Sequence, residues 1–254
     1  MPTYSSSINH TYEQEMSGIA TSSIQTTVRG LTRSALDLLF PLHCLGCRKE
    51  GAILCPECVG GLKRLEQPYC DTCAEPNANG NCQSCLEHPS EIDGVRAPYL
   101  FEGPTRDAVH RLKYNGWKVA APVLGGLLAD YLKAHRLPGE ILVPVPLHPR
   151  RLRSRGYNQS HLLAKETGNL LAMPMREDLL TRAKDSPPQV EARSREQRRA
   201  NVAGIFESAS EVEGMSILLV DDVATTGSTL SACAASLKDA GAASVWGLVL
   251  ARDS

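Results

Sequence analysis

Residues 217–229 run Ile217-Leu218-Leu219-Val220-Asp221-Asp222-Val223-Ala224-Thr225-Thr226-Gly227-Ser228-Thr229. The apolar run over 215–220 reads as a buried strand that ends abruptly at two carboxylates, and the hydroxyl-rich loop after it opens a helix over 229–240. Gly241 then stands in the position of a C-terminal cap. Free amides at a helix N-terminus, hydroxyl donors beside them and a glycine that permits close backbone approach suit a phosphate monoester. Asp221 and Asp222 are acceptors suited to vicinal sugar hydroxyls, so the stretch describes a site for a ribose 5-phosphate. Either half alone has a plainer explanation, since Thr and Ser cap helices and paired aspartates make turns. Both halves in register after one apolar strand favour the site.

Outward from this stretch, residues 95–101, 141–145 and 244–251 read as further strands. Helical spacing of apolar residues recurs over 105–114, 120–134 and 158–171. Strands alternating with helices predict an α/β domain with a mostly parallel sheet covered on both faces. Ligands in such sheets sit beyond the carboxyl ends of the strands, here after Val145 and Val220. No Walker A, G-x-G-x-x-G, G-x-S-x-G or H-E-x-x-H pattern occurs, so the commoner nucleotide and hydrolase sites lack their residues.

The front of the chain is different. Cys44 and Cys47, Cys55 and Cys58, Cys70 and Cys73, Cys82 and Cys85 form four C-x-x-C pairs. Two such knuckles close one tetrahedral Zn(Cys)4 shell, and the metal then substitutes for the core that so short a segment lacks. A redox site needs one pair, not four, and a cytoplasmic chain rarely keeps disulfides. Pairing in sequence order gives two ribbons, with crossed pairing as the alternative the spacing leaves open; both shells would be closed and structural. Cys233, alone on the last helix, reads as a small buried hydrophobe.

At 42% hydrophobic and 22% charged residues in 254, the chain has enough apolar content for a sizeable core, and its net charge of −1 gives no global attraction to nucleic acid or membrane. Local blocks differ. Residues 40–95 carry four basic against eight acidic side chains, whereas residues 150–201 carry twelve basic against six acidic, a stretch that wants an anion. No run is long enough to span a membrane and no leader pattern opens the chain, so the expected location is cytoplasmic with no membrane insertion. The expected organisation is a Ser/Thr-rich disordered tail over 1–30, a short helix and double zinc ribbon over 31–93, and the α/β domain over 94–254.

The stretch over 217–229 resembles the phosphoribosyl pyrophosphate (PRPP) motif of type I phosphoribosyltransferases. Two further segments, Val143-Pro144-Val145-Pro146-Leu147-His148-Pro149-Arg150-Arg151-Leu152-Arg153-Ser154-Arg155-Gly156-Tyr157-Asn158-Gln159 and Leu112-Lys113-Tyr114-Asn115-Gly116, together with the cysteine-rich front, are similar to the ComF family of competence-associated and GntX-like proteins. The resemblance covers residues 36–251. It implies a type I phosphoribosyltransferase fold behind a double zinc ribbon. Asp221 and Asp222 would hold the ribose hydroxyls, and Thr225, Thr226, Gly227, Ser228 and Thr229 the 5-phosphate. His148, Arg150, Arg151 and Arg155 would face the pyrophosphate, and residues 182–199 stand where the family carries a mobile hood. Implied cofactors are two structural Zn2+ and Mg2+ with PRPP, and the acceptor is not legible. Two activities follow: a PRPP-dependent transferase, or a non-catalytic module that senses PRPP or handles single-stranded DNA with DNA-uptake proteins.

Overall fold

The computed structural model describes residues 42–182 and 205–253. The expected tail, the helix over 31–40 and residues 183–199 of the expected hood lie outside them. A parallel sheet organises the rest, in the order β1 (Gly94–Arg96), β7 (Ser244–Arg252), β6 (Ser216–Ala224), β3 (Ile141–Pro144), with β2 (Tyr99–Leu100) pairing β7 beyond β1. The strand expected over 95–101 is therefore broken, because Pro98 follows β1 and offers no N–H to a ladder.

Side-chain alternation divides the apolar strands between two cores. Leu218 and Val220 of β6, Leu142 of β3 and Leu248 and Leu250 of β7 face α3 (Gly103–Tyr114), α4 (Ala121–Ala134) and α6 (Gln159–Leu171). Ile217, Leu219, Val143, Val245 and Val249 face α7 (Ser228–Asp239) and the antiparallel pair β4 (Leu180–Arg182) and β5 (Phe206–Ser208). Helices α4 and α6 pack closely because Gly125 has no side chain; a Cβ there would meet Glu166 Cβ at 2.5 Å and Leu163 O at 3.3 Å. Among the described residues, no helix is long and apolar enough to cross a membrane.

Two features position the site differently from the sequence expectation. Strand β6 does not stop at the aspartates but stays paired to β7 as far as Ala224, while β3 ends opposite Val220. The crevice therefore opens on the β3 side. The arginine-rich segment after β3 is not a loop but a short helix, α5 (Pro149–Arg155), entered through Pro149 and ended by Gly156 at φ +77°.

Candidate functional site

The cysteines cluster in sequence order, Cys44, Cys47, Cys55 and Cys58 in one group and Cys70, Cys73, Cys82 and Cys85 in the other, with the ligand atoms of each group within 4.8 Å of one another. The Sγ atoms of Cys55 lie 3.7 Å from Cys44 and 3.6 Å from Cys47, and those of Cys73 and Cys82 are 3.7 Å apart. A disulfide would need about 2.0 Å. Zinc held at about 2.3 Å by four sulfurs sets tetrahedral edges of about 3.8 Å, so the clusters fit two structural zinc sites.

The two groups share one local design. Each first pair is a tight turn whose following residue is left-handed, Arg48 at φ +66° and Ala74 at +58°, and donates its N–H to the carbonyl of the first cysteine at 2.9 Å. Each second pair places its first cysteine at the N-cap of a single-turn helix, Cys55 before α1 (Pro56–Gly60) and Cys82 before α2 (Gln83–Glu87). That cysteine's N–H donates back to the first thiol, Cys55 N to Cys44 Sγ at 3.3 Å and Cys82 N to Cys70 Sγ at 3.3 Å. Burial pushes the Cys44 and Cys70 thiols up, but the converging N–H donors outweigh it and bring them to about 6 and about 7. Thiolates are what zinc takes.

Three elements, β6, α3 and α6, meet around the aspartates and define the crevice. Asp222, 2% exposed at the β6 end, forms an ion pair with Lys113 Nζ from the last turn of α3 at 2.5 Å and receives Gln159 Nε2 at 3.5 Å. Asp221 accepts from Ser160 Oγ at 2.7 Å and from Asp222 N at 2.9 Å. Burial, followed by the adjacent Asp222 charge, pushes Asp221 up to about 8, against the pull of the Ser160 hydroxyl. Asn158 fixes the α6 entrance: its Oδ1 caps Ser160 N at 3.0 Å while its Nδ2 donates to Val145 O at 2.9 Å.

Beyond Ala224 the chain reaches the exposed residues Thr225 and Thr226, turns at Gly227 in the left-handed region at φ +72°, and enters α7 through Ser228 and Thr229. Thr226 Oγ1 and Ser228 Oγ share a hydrogen bond of 2.8 Å. On the other side, His148 caps α5, its Nδ1 accepting from Arg150 N at 3.1 Å. Arg150, Arg151 and Arg153 are exposed, whereas Arg155 donates to Gln159 Oε1 and so joins the network that holds Asp222. Tyr157 closes the base by donating its hydroxyl to Leu112 O. Cys233 is buried on α7, and burial raises its thiol, as a packing residue requires.

The structure thus links Asp222 to Arg155 through Gln159, and β6 carries both aspartates directly into the hydroxyl loop, while Arg150, Arg151 and Arg153 lie exposed on α5. Sequence reasoning missed Lys113, Gln159 and Ser160, which settle the aspartates. Their signal was present, because Lys113 and Gln159 stand inside the segments similar to the ComF family, but only the fold carries them to the end of β6.

The class that results is a phosphoribosyltransferase-type α/β domain preceded by a double zinc-ribbon module. Residues 35–87 match the double zinc ribbon domain and residues 159–254 the phosphoribosyl transferase domain. The chain is 30% identical over 229 residues to competence protein F of Haemophilus influenzae, covering 84% of this chain and 98% of that one. It is 31% identical over 219 residues to DNA utilization protein YhgH of Salmonella typhimurium, covering 82% and 96%. Among solved structures, a glutamine PRPP amidotransferase from B. subtilis aligns with TM-score 0.37 and 19% identity over 52% of this chain; the chain spans about a quarter of that structure's length, 26%. The chain belongs to the ComF/GntX family.

Proposed function

We propose that the crevice between β3 and β6 binds Mg-PRPP and that the chain is a phosphoribosyltransferase-like protein acting on it. The observation that supports this most is the pairing of Asp221 and Asp222, oriented by Ser160 and Lys113, with an exposed hydroxyl loop opening α7 one turn further on. In this reading the carboxylates hold the ribose 2- and 3-hydroxyls, residues 225–229 hold the 5-phosphate, and the α5 arginines receive the pyrophosphate as forked donors. Mg2+, when bound, supplies charge neutralisation along the pyrophosphate. Cleavage at C1 of the ribose builds positive charge on the sugar, so the protein's work is to orient the ring and stabilise the departing anion.

A second reading, a module that handles single-stranded DNA without turnover, is favoured by one surface. Tyr114 is 70% exposed with the Arg155 guanidinium 5.5 Å over its ring, and the segments 110–118 and 148–161 hold seven Lys and Arg with no acidic residue. Exposed aromatics among cations suit unstacked bases. The relatives named for competence and DNA utilization point the same way.

The test is titration calorimetry with Mg-PRPP, followed by pyrophosphate release with a panel of bases. Binding with turnover supports the transferase, and binding without turnover but with single-stranded DNA bound at Tyr114 supports the module. The double variant Asp221→Asn with Asp222→Asn keeps shape and is expected to fold while losing Mg-PRPP affinity by orders of magnitude. A folded double variant with wild-type affinity would remove the ligand from this crevice.

A further inference from the structure

The second ribbon is built into the entrance of the hydroxyl loop. Arg252, the last residue of β7 and 4% exposed, sends its guanidinium in three directions. Nε donates to Cys73 O at 3.0 Å, Nη2 pairs with the Glu75 carboxylate, and Nη1 donates to Ala224 O at 3.2 Å and also to Asp253 O. Ala224 is the residue before the loop, and its carbonyl also accepts from Asp253 N at 2.9 Å. Gly227 lies against the same knuckle: a Cβ there would stand 4.0 Å from Cys73 Cβ. A cavity of about 600 Å3 beside α7 is lined both by Cys73 and Cys85 and by Thr226, Gly227 and Ser228. Among the described residues, no hydrogen bond joins the first ribbon to residues 221–229.

A guanidinium is a rigid plane, so acceptors bound to one buried fork, Cys73 O, Glu75 and Ala224 O among them, keep their mutual distances. Cys73 is held on its other side by its own N–H, which donates to Cys70 Sγ at 3.5 Å, and by Cys82 Sγ at 3.7 Å. Opening the second shell releases Cys73, and with it one side of the fork that places Ala224.

We propose that Arg252 is a positioning residue joining the second zinc shell to the phosphate loop, so that closure of the Cys70, Cys73, Cys82 and Cys85 shell and binding of a phosphate ligand favour each other. This rests on the reading of residues 225–229 as the phosphate loop. Coupling of this kind is reciprocal: zinc tightens the ligand by the factor by which the ligand tightens zinc.

The wild-type zinc-loaded chain is exposed to a chelator and a thiol-alkylating reagent, with and without saturating Mg-PRPP, and each cysteine is followed by mass spectrometry. The ligand is expected to slow modification of Cys70, Cys73, Cys82 and Cys85 by on the order of tenfold while Cys44, Cys47, Cys55 and Cys58 react at an unchanged rate. In Arg252→Met the protection should vanish and Mg-PRPP affinity fall by a similar factor. Arg252→Lys should behave alike, since a single ammonium keeps the charge but not the fork. Equal protection of both shells, or of neither, in a chain that calorimetry shows to bind Mg-PRPP would overturn the coupling. Failure of the wild type to bind Mg-PRPP at all would instead overturn the proposed function, and the coupling with it.

Discussion

The two ribbons repeat one backbone design yet are anchored by different forces. The first sends Leu45, Ile53, Leu54 and Leu62 into the apolar cluster that contains Leu112 and Leu124, so its folding and that of the sheet's covering helices share one core. The second contributes only Ala74 from between its cysteines to the other cluster and is held by polar staples instead. Val95 N donates to Thr72 O at 2.8 Å, Arg96 Nη1 to Asp71 O at 2.8 Å, and Arg252 grips Cys73 and Glu75. Apolar burial is strong and non-directional, whereas hydrogen bonds are weaker in net energy but fix geometry. The first ribbon is therefore anchored by burial, and the second by directional contacts that reach Ala224, the residue before the hydroxyl loop.

The largest effect expected from this difference concerns metal loss. Cys44→Ser should expel one zinc and lower the unfolding midpoint of the whole chain by on the order of 10 °C, because four buried side chains lose their support. Cys85→Ser should expel the other zinc with a much smaller shift. Equal shifts in differential scanning calorimetry would break the comparison. Within the ribbons, Leu54→Ala removes a side chain 5% exposed and should cost about 2–5 kcal/mol in denaturant unfolding. Leu86→Ala, at a residue 61% exposed in the second ribbon, should stay within about 0.5 kcal/mol.

On the crevice side, the sign of the pH dependence follows from Asp221. Its pKa of about 8 lies above the ordinary carboxylate value, so the folded chain holds that proton. The stability this gives is complete below about pH 4 and is lost as pH rises through about 8. A ligand that needs the ionised carboxylate must expel the proton, so Mg-PRPP affinity should climb between pH 7 and 8 and level above pH 9. Calorimetry in two buffers of different ionisation enthalpy should read about one proton released at pH 7, and no proton exchange would mean that Asp221 does not meet the ligand. The smallest effect expected is that of Thr226→Val, which deletes one exposed hydroxyl. It should weaken Mg-PRPP by about 1 kcal/mol and leave zinc content unchanged; unaltered affinity would move the phosphate off this loop.

Local patterns carried much of this. The C-x-x-C spacing named all eight clustered cysteines, and helical periodicity found α3, α4, α6 and α7 within two residues of their ends. The arginine segment was harder. Pro149 and four arginines read as a loop that suits an anion, but Pro at the first helical position and His148 as a cap make a helix of them. The end of β6 was also misplaced, because two aspartates look like a strand terminus when only their own polarity is considered. Pairing of Val223 with Ala251 and of Ala224 with Arg252 carries the strand past them, and neighbours supply the partners their burial requires.

By itself the sequence determined the quantities that repeat or alternate along the chain: the metal knuckles, the period of the helices, the apolar runs of the sheet, and the order of carboxylates, glycine and hydroxyls after Val220. Each of these depends on residues a few positions apart, where spacing alone fixes which side chains can meet. Only the tertiary structure decided that Lys113 neutralises Asp222, that Ser160 orients Asp221, and that Arg252 ties Cys73 to Ala224. Those partners lie tens to nearly two hundred residues apart in the chain. A buried charge fixes the need for a partner, but which residue answers it is set by how the helices and the second ribbon pack around the carboxyl ends of β6 and β7.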